Sequence, residues 1–231
     1  MTSHATALAL GLVLGIKHAF ETDHVAAVTT IVSEHKNPLR AALIGTFWGI
    51  GHSTTLLIIG LFVLIAKVAI PQKVSLFFEM LVGVALVCLG LLSIARVLKS
   101  HKHTHQHGDT SHAHVHIHQT PNHTHFHKKS FLMGTLHGLA GSGALMLLVL
   151  STIRTTIEGV FYILLFSLGS IGAMTFISMV LGLPFLLSAR KFPNTQKYIT
   201  AAAGSVSVFV GLGLVYEIGI VRGLLSQLFS P

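Results

Sequence analysis

Three side chains that can bind a divalent metal lie close together near the start of the chain, inside an apolar segment. His18, Asp23 and His24 follow the pattern His-x4-Asp-His, and Glu21 lies between them. Imidazole nitrogen together with carboxylate oxygen suits a borderline divalent ion such as nickel, cobalt or zinc, whereas calcium and magnesium prefer oxygen ligands alone. The cluster therefore predicts a transition-metal site.

The position of this cluster constrains the segment that carries it. A charged residue at the middle of a membrane helix costs about 2.5–3.5 kcal/mol on insertion scales, so the cluster must face the protein interior or water. On a regular helix, His18 lies about 140° from Asp23 and about 120° from His24. Because these side chains cannot converge from an unbroken helix, we expect either an unwound or kinked backbone between Ala19 and Asp23 or a ligand contributed by the backbone itself. Such a break is tolerated at membrane depth where it lines a protein cavity.

A structural role without metal also fits these residues. Lys17 and Glu21 are one helical turn apart and could form an ion pair. Asp23 and His24 could form a buried hydrogen-bonded pair. Both readings are kept as alternatives to the metal site.

Two further histidines lie inside apolar segments and favour the metal site over this alternative. His52 and His137 are each flanked by small residues. The hydroxyls of Ser53 and Thr54 are expected to hold the tautomer of His52 as outer partners. A histidine that bridges two helices structurally is the alternative for both positions.

Eleven of the 17 histidines lie in one polar stretch and alternate with other residues. They are His101, His103, His105, His107, His112, His114, His116, His118, His123, His125 and His127. This biased composition predicts a disordered metal-binding tract, with a solvated linker as the alternative. At the N-terminus, His4 would become the third residue after loss of Met1 and could complete a square-planar set for nickel or copper. A disordered tail is the alternative there.

The composition indicates a chain whose main solvent is lipid. Hydrophobic residues make up 52% of the chain and charged residues 10%, with a mean hydropathy of +0.74, whereas a soluble domain is usually about a quarter charged. The Lys and Arg residues are scattered between apolar runs, so nucleic acid is not an expected partner. The single cysteine, Cys88, excludes an intramolecular disulfide and reads as a small buried hydrophobe.

Six apolar segments are long enough to cross about 30 Å of hydrocarbon, which takes roughly 20 helical residues. The predicted fold is therefore an all-α polytopic membrane protein. The six segments are residues 5–33, 39–66, 74–98, 131–153, 157–189 and 197–224. They form a first three-helix repeat at 1–98 and a second at 130–231, joined by a His-rich disordered loop at 99–129.

Charge and spacing predict how these segments are arranged. Ten Lys and Arg lie in the first, third and fifth connections and four on the opposite side. By the positive-inside rule the His-rich loop is cytoplasmic and both termini are outside. The two halves also resemble each other, since His18 and His52 are 34 residues apart and His137 and Ser170 are 33 apart. Two three-helix halves of opposite orientation are the inverted repeat of many secondary transporters, whose substrate site lies between the repeats.

The His-x4-Asp-His cluster, together with Gly51-His52-Ser53-Thr54 in the second segment, resembles the paired motifs of the nickel/cobalt transporter family. The six-helix length is similar to the short branch of that family, the nickel permeases associated with urease or hydrogenase maturation. The acidic motif of longer members is absent from the second half, so ligands there cannot be transferred. The resemblance implies metal recognition by His18, Asp23, His24 and His52.

The resemblance further implies secondary transport of Ni²⁺ or Co²⁺ across a bacterial or archaeal plasma membrane. A cytoplasmic metallochaperone of urease or hydrogenase maturation is the implied partner, besides the metal ion and membrane lipid. No bound cofactor is expected, since nickel or cobalt is the transported substrate.

The predicted function is import of Ni²⁺, with Co²⁺ as a second substrate, and not catalysis. The sequence contains no ATP-binding loop of the Gly-x4-Gly-Lys-Ser/Thr kind. Inward movement of a dication gains about 4.6 kcal/mol per 100 mV, inside negative, which favours import. Three alternatives stay open, namely efflux of the same metals, an intramembrane zinc metalloenzyme, and a non-transporting metal sensor or chaperone. The sequence has no His-Glu-x-x-His pattern, which argues against the enzyme.

Overall fold

The computed structural model describes residues 2–35, 37–68, 70–99, 102–107, 110–115, 125–152, 155–191 and 193–229. Within these residues the chain forms eight α-helices, one π-helical segment and two strands. The elements in chain order are α1 Thr2–Ala19, α2 Thr22–Ser33, α3 Pro38–Ala66, α4 Gln72–Leu98, β1 Lys102–His107, β2 Thr110–Val115, α5 His125–Thr152, α6 Thr156–Lys191, α7 Pro193–Tyr216, the π-helical segment Glu217–Val221 and α8 Leu224–Phe229.

Among the described residues, four helices are long and apolar enough to cross a membrane. They are Pro38–Ala66, Gln72–Leu98, Thr156–Ser188 and Gln196–Val221, the last of which joins α7 to the π-helical segment. A shorter apolar helical stretch covers Ala9–Ala19 of α1. Because about 20 helical residues span the hydrocarbon core, these lengths are consistent with an α-helical membrane protein.

The first predicted segment, residues 5–33, is two helices and not one. Glu21 has an extended backbone, with φ −61° and ψ 145°, and is the N-cap of α2. The amides of Phe20 and Glu21 donate to the carbonyls of Lys17 and His18 at 3.0 Å, which closes the last turn of α1. The predicted interruption of the helix is confirmed, and it falls inside the His-x4-Asp-His pattern.

The His-rich connection differs from its prediction as a disordered loop at 99–129. β1 pairs antiparallel with β2, so that His103 lies opposite His114. Alternation of histidine with other residues has a period of two, which is the period of a strand, and this pattern can therefore form a hairpin. α5 begins at His125, so both His125 and His127 belong to a helix.

The helices pack in a pattern that relates the two halves of the chain. α3 packs against α5 and α6, α4 packs against α7, and α1 packs against α6. Further contacts join α4 to α5 and α2 to α7. If α1 with α2 is matched to α5, α3 to α6, and α4 to α7, each of these contacts has a counterpart among the others or is its own counterpart. For example, the contact of α3 with α5 matches the contact of α6 with α1.

Glycines allow the closest of these contacts. A methyl group on Gly134 of α5 would lie 2.8 Å from the carbonyl carbon of Trp48 in α3, and one on Gly15 of α1 would lie 2.8 Å from the carbonyl carbon of Phe166 in α6. Small residues let helix backbones approach in this way in membrane proteins. Gly15 lies three residues before His18, and Gly134 lies three residues before His137.

A partly buried ion-pair cluster joins three helices at one end of the bundle. Glu34 directly follows α2, and its carboxylate contacts Arg96 in the last turn of α4. The same carboxylate lies 3.9 Å from Nζ of Lys129 near the start of α5. These two cations flank the His-rich connection, so Glu34 ties both sides of that connection to the end of α2.

The close approach of α5 to α3 predicts the cost of enlarging Gly134. A methyl group there would collide with the backbone of α3, so Gly134→Ala should destabilise the protein by about 1–3 kcal/mol, as overpacking does in other cores. The measurement is the melting temperature in detergent, followed by size-exclusion chromatography of heated samples.

The matched control is Gly172→Ala in α6, where a methyl group would meet no atom within 4 Å. This change should be neutral or stabilising, because alanine is the better helix former by about 1 kcal/mol. Equal melting temperatures for the two variants would contradict the packing described at Gly134.

Candidate metal centre

Four histidines meet at the break between α1 and α2. His18 lies in the last turn of α1 and His24 in the first turn of α2, while His52 lies in α3 and His137 in α5. The ring of His24 is central, with its centroid 4.6 Å from that of His18, 5.4 Å from His52 and 5.0 Å from His137. The structure thus brings together His18, His24 and His52 from the first half and His137 from the second.

The ligand atoms of three of these histidines lie close enough together to hold a single ion. One nitrogen from each of His18, His24 and His52 lies within 4.8 Å of the other two. Metal–nitrogen bonds of about 2.1 Å place two ligand nitrogens within about 4 Å of each other, so a small closure of the rings completes the site. Glu21, Asp23 and His24 form a second set within the same 4.8 Å limit.

Three of the four rings are held through the Nδ1 atom. The contacts are His18 Nδ1 to Glu21 Oε1 at 3.0 Å, His24 Nδ1 to Asp23 Oδ1 at 3.1 Å, and His137 Nδ1 to the carbonyl oxygen of Met133 at 3.0 Å. Each contact has the length of a normal hydrogen bond. The rings are therefore fixed by the residues around them and do not only fill space.

Several ring nitrogens at the centre of the cluster have no partner. Within the described residues, Nε2 of His24, Nε2 of His137 and both nitrogens of His52 are buried and form no hydrogen bond. A buried polar group left unpaired costs about 1–3 kcal/mol, and such groups in a native structure call for an explanation such as a bound ion. Beside them, a methyl group on Gly141 would lie 3.5 Å from Nε2 of His18, so this glycine leaves open space next to the ring.

Exposure decreases from one side of the cluster to the other. The side chain of Glu21 is 55% exposed, that of Asp23 23% and that of His18 14%, whereas His24 is 2% exposed. Glu21 therefore lies on the open side of the cluster and His24 on its closed side.

The alternative ion pair between Lys17 and Glu21 is not the one formed. Glu21 contacts His18 instead, because the interruption after α1 removes Glu21 from the regular helical position one turn beyond Lys17. The predicted hydrogen bond between Asp23 and His24 is present at 3.1 Å. This hydrogen bond and the cluster of four imidazoles are both present in the structure.

The prediction that the hydroxyls of Ser53 and Thr54 hold the ring of His52 is also wrong. The hydroxyl of Thr54 donates to the carbonyl of Ile50 at 2.7 Å, and Ser53 Oγ has no hydrogen-bond partner within the described residues. Serine and threonine inside helices often bond to the carbonyl four residues back. His52 is consequently the one ring of the four whose two nitrogens are both unpaired there.

Aromatic neighbours of the cluster were not anticipated from the sequence. The ring centroid of Trp48 lies 4.8 Å from that of His137 and 6.4 Å from that of His24, and the ring of Phe166 lies 5.5 Å from His18. The available signal was the spacing of Trp48, which is four residues before His52 and so on the same face of α3.

The remaining predicted metal ligands are His4 and the histidines of the His-rich connection. His4 lies in α1, and the strands and the first turn of α5 contain His103, His105, His107, His112, His114, His125 and His127. His101, His116, His118 and His123 lie outside the described residues. Metal binding at all these positions stays a prediction.

Comparison with known proteins gives one strong relationship. No protein-family model and no solved structure matches the chain. The urease accessory protein UreH of Bacillus sp. (strain TB-90) is 42% identical over 219 residues, which cover 94% of this chain and 93% of that protein.

Two plant proteins are more distant relatives. Chloroplast protein FOR GROWTH AND FERTILITY 2 of Arabidopsis thaliana is 24% identical over 210 residues, and FOR GROWTH AND FERTILITY 1 is 23% identical over 211 residues. Each match covers 89% of this chain but only 55% and 57% of the plant proteins, so the chain spans little more than half their length. The bacterial protein is much more similar to this chain than the plant proteins are, and the match covers nearly the whole of both chains. The chain therefore belongs to the family of the urease accessory protein UreH.

Proposed function

We propose that this protein is a secondary transporter that imports Ni²⁺, with Co²⁺ as a second substrate, across a bacterial or archaeal plasma membrane. The observation that carries the proposal is the convergence of four imidazoles at a helix break inside an apolar bundle. Imidazole suits nickel, cobalt and zinc and does not suit magnesium or calcium. A substrate site at interrupted helices near mid-membrane is typical of secondary transporters.

The relationship to UreH supports nickel as the substrate. An accessory role is a non-catalytic one, so the metalloenzyme alternative is set aside. A urease accessory protein is compatible with nickel delivery to urease. We therefore extend the proposal to a cytoplasmic metallochaperone of urease or hydrogenase maturation as the protein that receives the ion.

The proposed membrane arrangement has six spans in two inverted repeats. The spans are α1 with α2, then α3, α4, α5, α6 and finally α7 with the π-helical segment. The exchange of helix pairs between the two halves and the equivalent contacts of Gly15 and Gly134 support the repeat. The distribution of Lys and Arg supports external termini and a cytoplasmic His-rich connection.

The gradient of exposure suggests how an ion would pass through the site. A hydrated ion first meets the exposed side at Glu21 and then exchanges its water for the buried imidazoles around His24. On the cytoplasmic side it meets the His-rich connection, which can act as a buffer. The membrane potential supplies the energy for inward movement, at about 4.6 kcal/mol per 100 mV for a dication.

Flux of ⁶³Ni into proteoliposomes tests the proposal directly. His24→Ala should reduce uptake under an inside-negative potential by at least about tenfold, because losing a ligand should cost no less than losing an outer partner of a ligand. The control is His35→Gln, a histidine in the turn between α2 and α3, which should keep flux near that of the wild type.

Two outcomes would contradict this function. Equal flux in wild type and His24→Ala would remove the site from the transport path. Lower nickel accumulation in cells that express the protein than in cells that lack it would establish efflux in place of import.

The emission of Trp48 offers an independent check, because it is the single tryptophan of the chain. An ion bound to His137 and His24 would lie close to its indole ring. We expect Ni²⁺ and Co²⁺, which have open d shells, to quench this emission, and closed-shell Zn²⁺ to quench it far less. In His52→Ala the quenching should require about tenfold more Ni²⁺. Unchanged emission when equilibrium dialysis detects bound Ni²⁺ would place the ion elsewhere.

A further inference from the structure

We propose that imidazole Nε2 atoms bind the ion, and that Glu21 and Asp23 are positioning residues that orient the rings without binding it. The proposal rests on the proposed function, since it divides roles within the same site. It departs from the expectation that Asp23 is a ligand. Its basis is the set of partners that the structure gives to each ring nitrogen.

The partner of His137 determines which of its nitrogens carries a hydrogen. The carbonyl oxygen of Met133 can only accept a hydrogen bond, so Nδ1 of His137, 3.0 Å away, must be the donor. A neutral imidazole with hydrogen on Nδ1 has its free lone pair on Nε2. That Nε2 is buried and has no hydrogen-bond partner within the described residues, which is the condition of a metal ligand before the ion binds.

His18 and His24 repeat this arrangement with carboxylates as acceptors. An ionised carboxylate also only accepts, so Asp23 draws the hydrogen of His24 to Nδ1. Oε1 of Glu21 lies 3.0 Å from Nδ1 of His18 as an ion-pair contact, which favours the same placement of the hydrogen on His18. In each case Nε2 keeps the lone pair. Metal-binding histidines in general donate the other ring nitrogen to a carboxylate or a backbone carbonyl, which fixes the tautomer and the ring orientation.

The same nitrogen is left free on rings that come from three different elements. α1, α2 and α5 each supply one histidine held at Nδ1, and the rings gather around His24. Purely structural hydrogen bonds would satisfy the histidines without leaving Nε2 of both His24 and His137 unpaired in the interior. His52, with neither nitrogen bonded within the described residues, can complete the set through either one.

Asp23 is the residue whose role differs between this proposal, in which it orients His24, and the expectation from the sequence, in which it binds the ion. Its Oδ1 is occupied by His24, and its Oδ2 lies 3.9 Å from Nε2 of His137, beyond hydrogen-bond distance. A carboxylate near the ion but not bonded to it offsets the ion's charge. The ligands themselves are then neutral, and such binding is weak enough for release, which conduction through a site requires.

The test compares amide and alanine replacements in the full-length protein in nanodiscs, with Co²⁺ as the probe. Asp23→Asn keeps a side-chain oxygen that can accept from Nδ1 of His24, whereas Asp23→Ala removes it. We expect Asp23→Asn to retain the visible absorption spectrum of bound Co²⁺ and most of the affinity. Asp23→Ala should lose affinity by about 10–100-fold, as removal of outer partners does in other metal sites.

Glu21→Gln and Glu21→Ala form the second matched pair. Glu21→Gln should keep most of the affinity for Co²⁺, and Glu21→Ala should lose affinity. This loss should be smaller than that of Asp23→Ala, because Glu21 is more exposed than Asp23. X-ray absorption of bound Ni²⁺ should count three or four imidazoles in wild type and in Asp23→Asn alike.

Equal loss of affinity in Asp23→Asn and Asp23→Ala, or an altered Co²⁺ spectrum in Asp23→Asn, would overturn the proposal and make Asp23 a ligand. A wild-type protein that binds neither Co²⁺ nor Ni²⁺ would overturn both this proposal and the proposed function. If wild type binds the ion through imidazoles but does not move ⁶³Ni, transport is refuted and the assignment of ligands is supported.

Discussion

The exclusion of polar side chains from lipid is the constraint on which the rest of this structure depends. Charged and imidazole groups in the first apolar segment cannot face hydrocarbon without a cost comparable to the stability of many domains. The bundle meets this constraint by interrupting the helix at Glu21 and by closing α3 and α5 over the interruption. That closure requires the backbones of α3 and α5 to approach at Gly134, where any side chain would keep the two helices apart.

Local periodicity predicted the features that depend on local geometry. The angular separation of His18 and His24 on a regular helix predicted either a break or a backbone ligand, and the break is present. The place of His137 depends on packing between distant segments, which spacing along the chain does not encode. The hydroxyls next to His52 were assigned to the ring because they adjoin it in sequence, but Thr54 bonds to its own helix. The hairpin was missed because composition outweighed the alternation of residues.

The relation between the two halves holds for the backbone and not for the chemistry. Similar glycine contacts and helix pairs occur in both halves, yet the predicted counterpart of His52 is the buried Ser170. The first half supplies three of the four imidazoles and both carboxylates, and the second half supplies only His137. The two halves therefore contribute unequally to the cluster.

Glu34 connects this chemistry to the far end of the bundle. α2 is 12 residues long, which makes it a rod of about 18 Å, with His24 in its first turn and Glu34 just beyond its last. Through Arg96 and Lys129 the same rod holds the bases of both helices from which the His-rich connection leaves. One short helix therefore links the imidazole cluster to both ends of the His-rich connection.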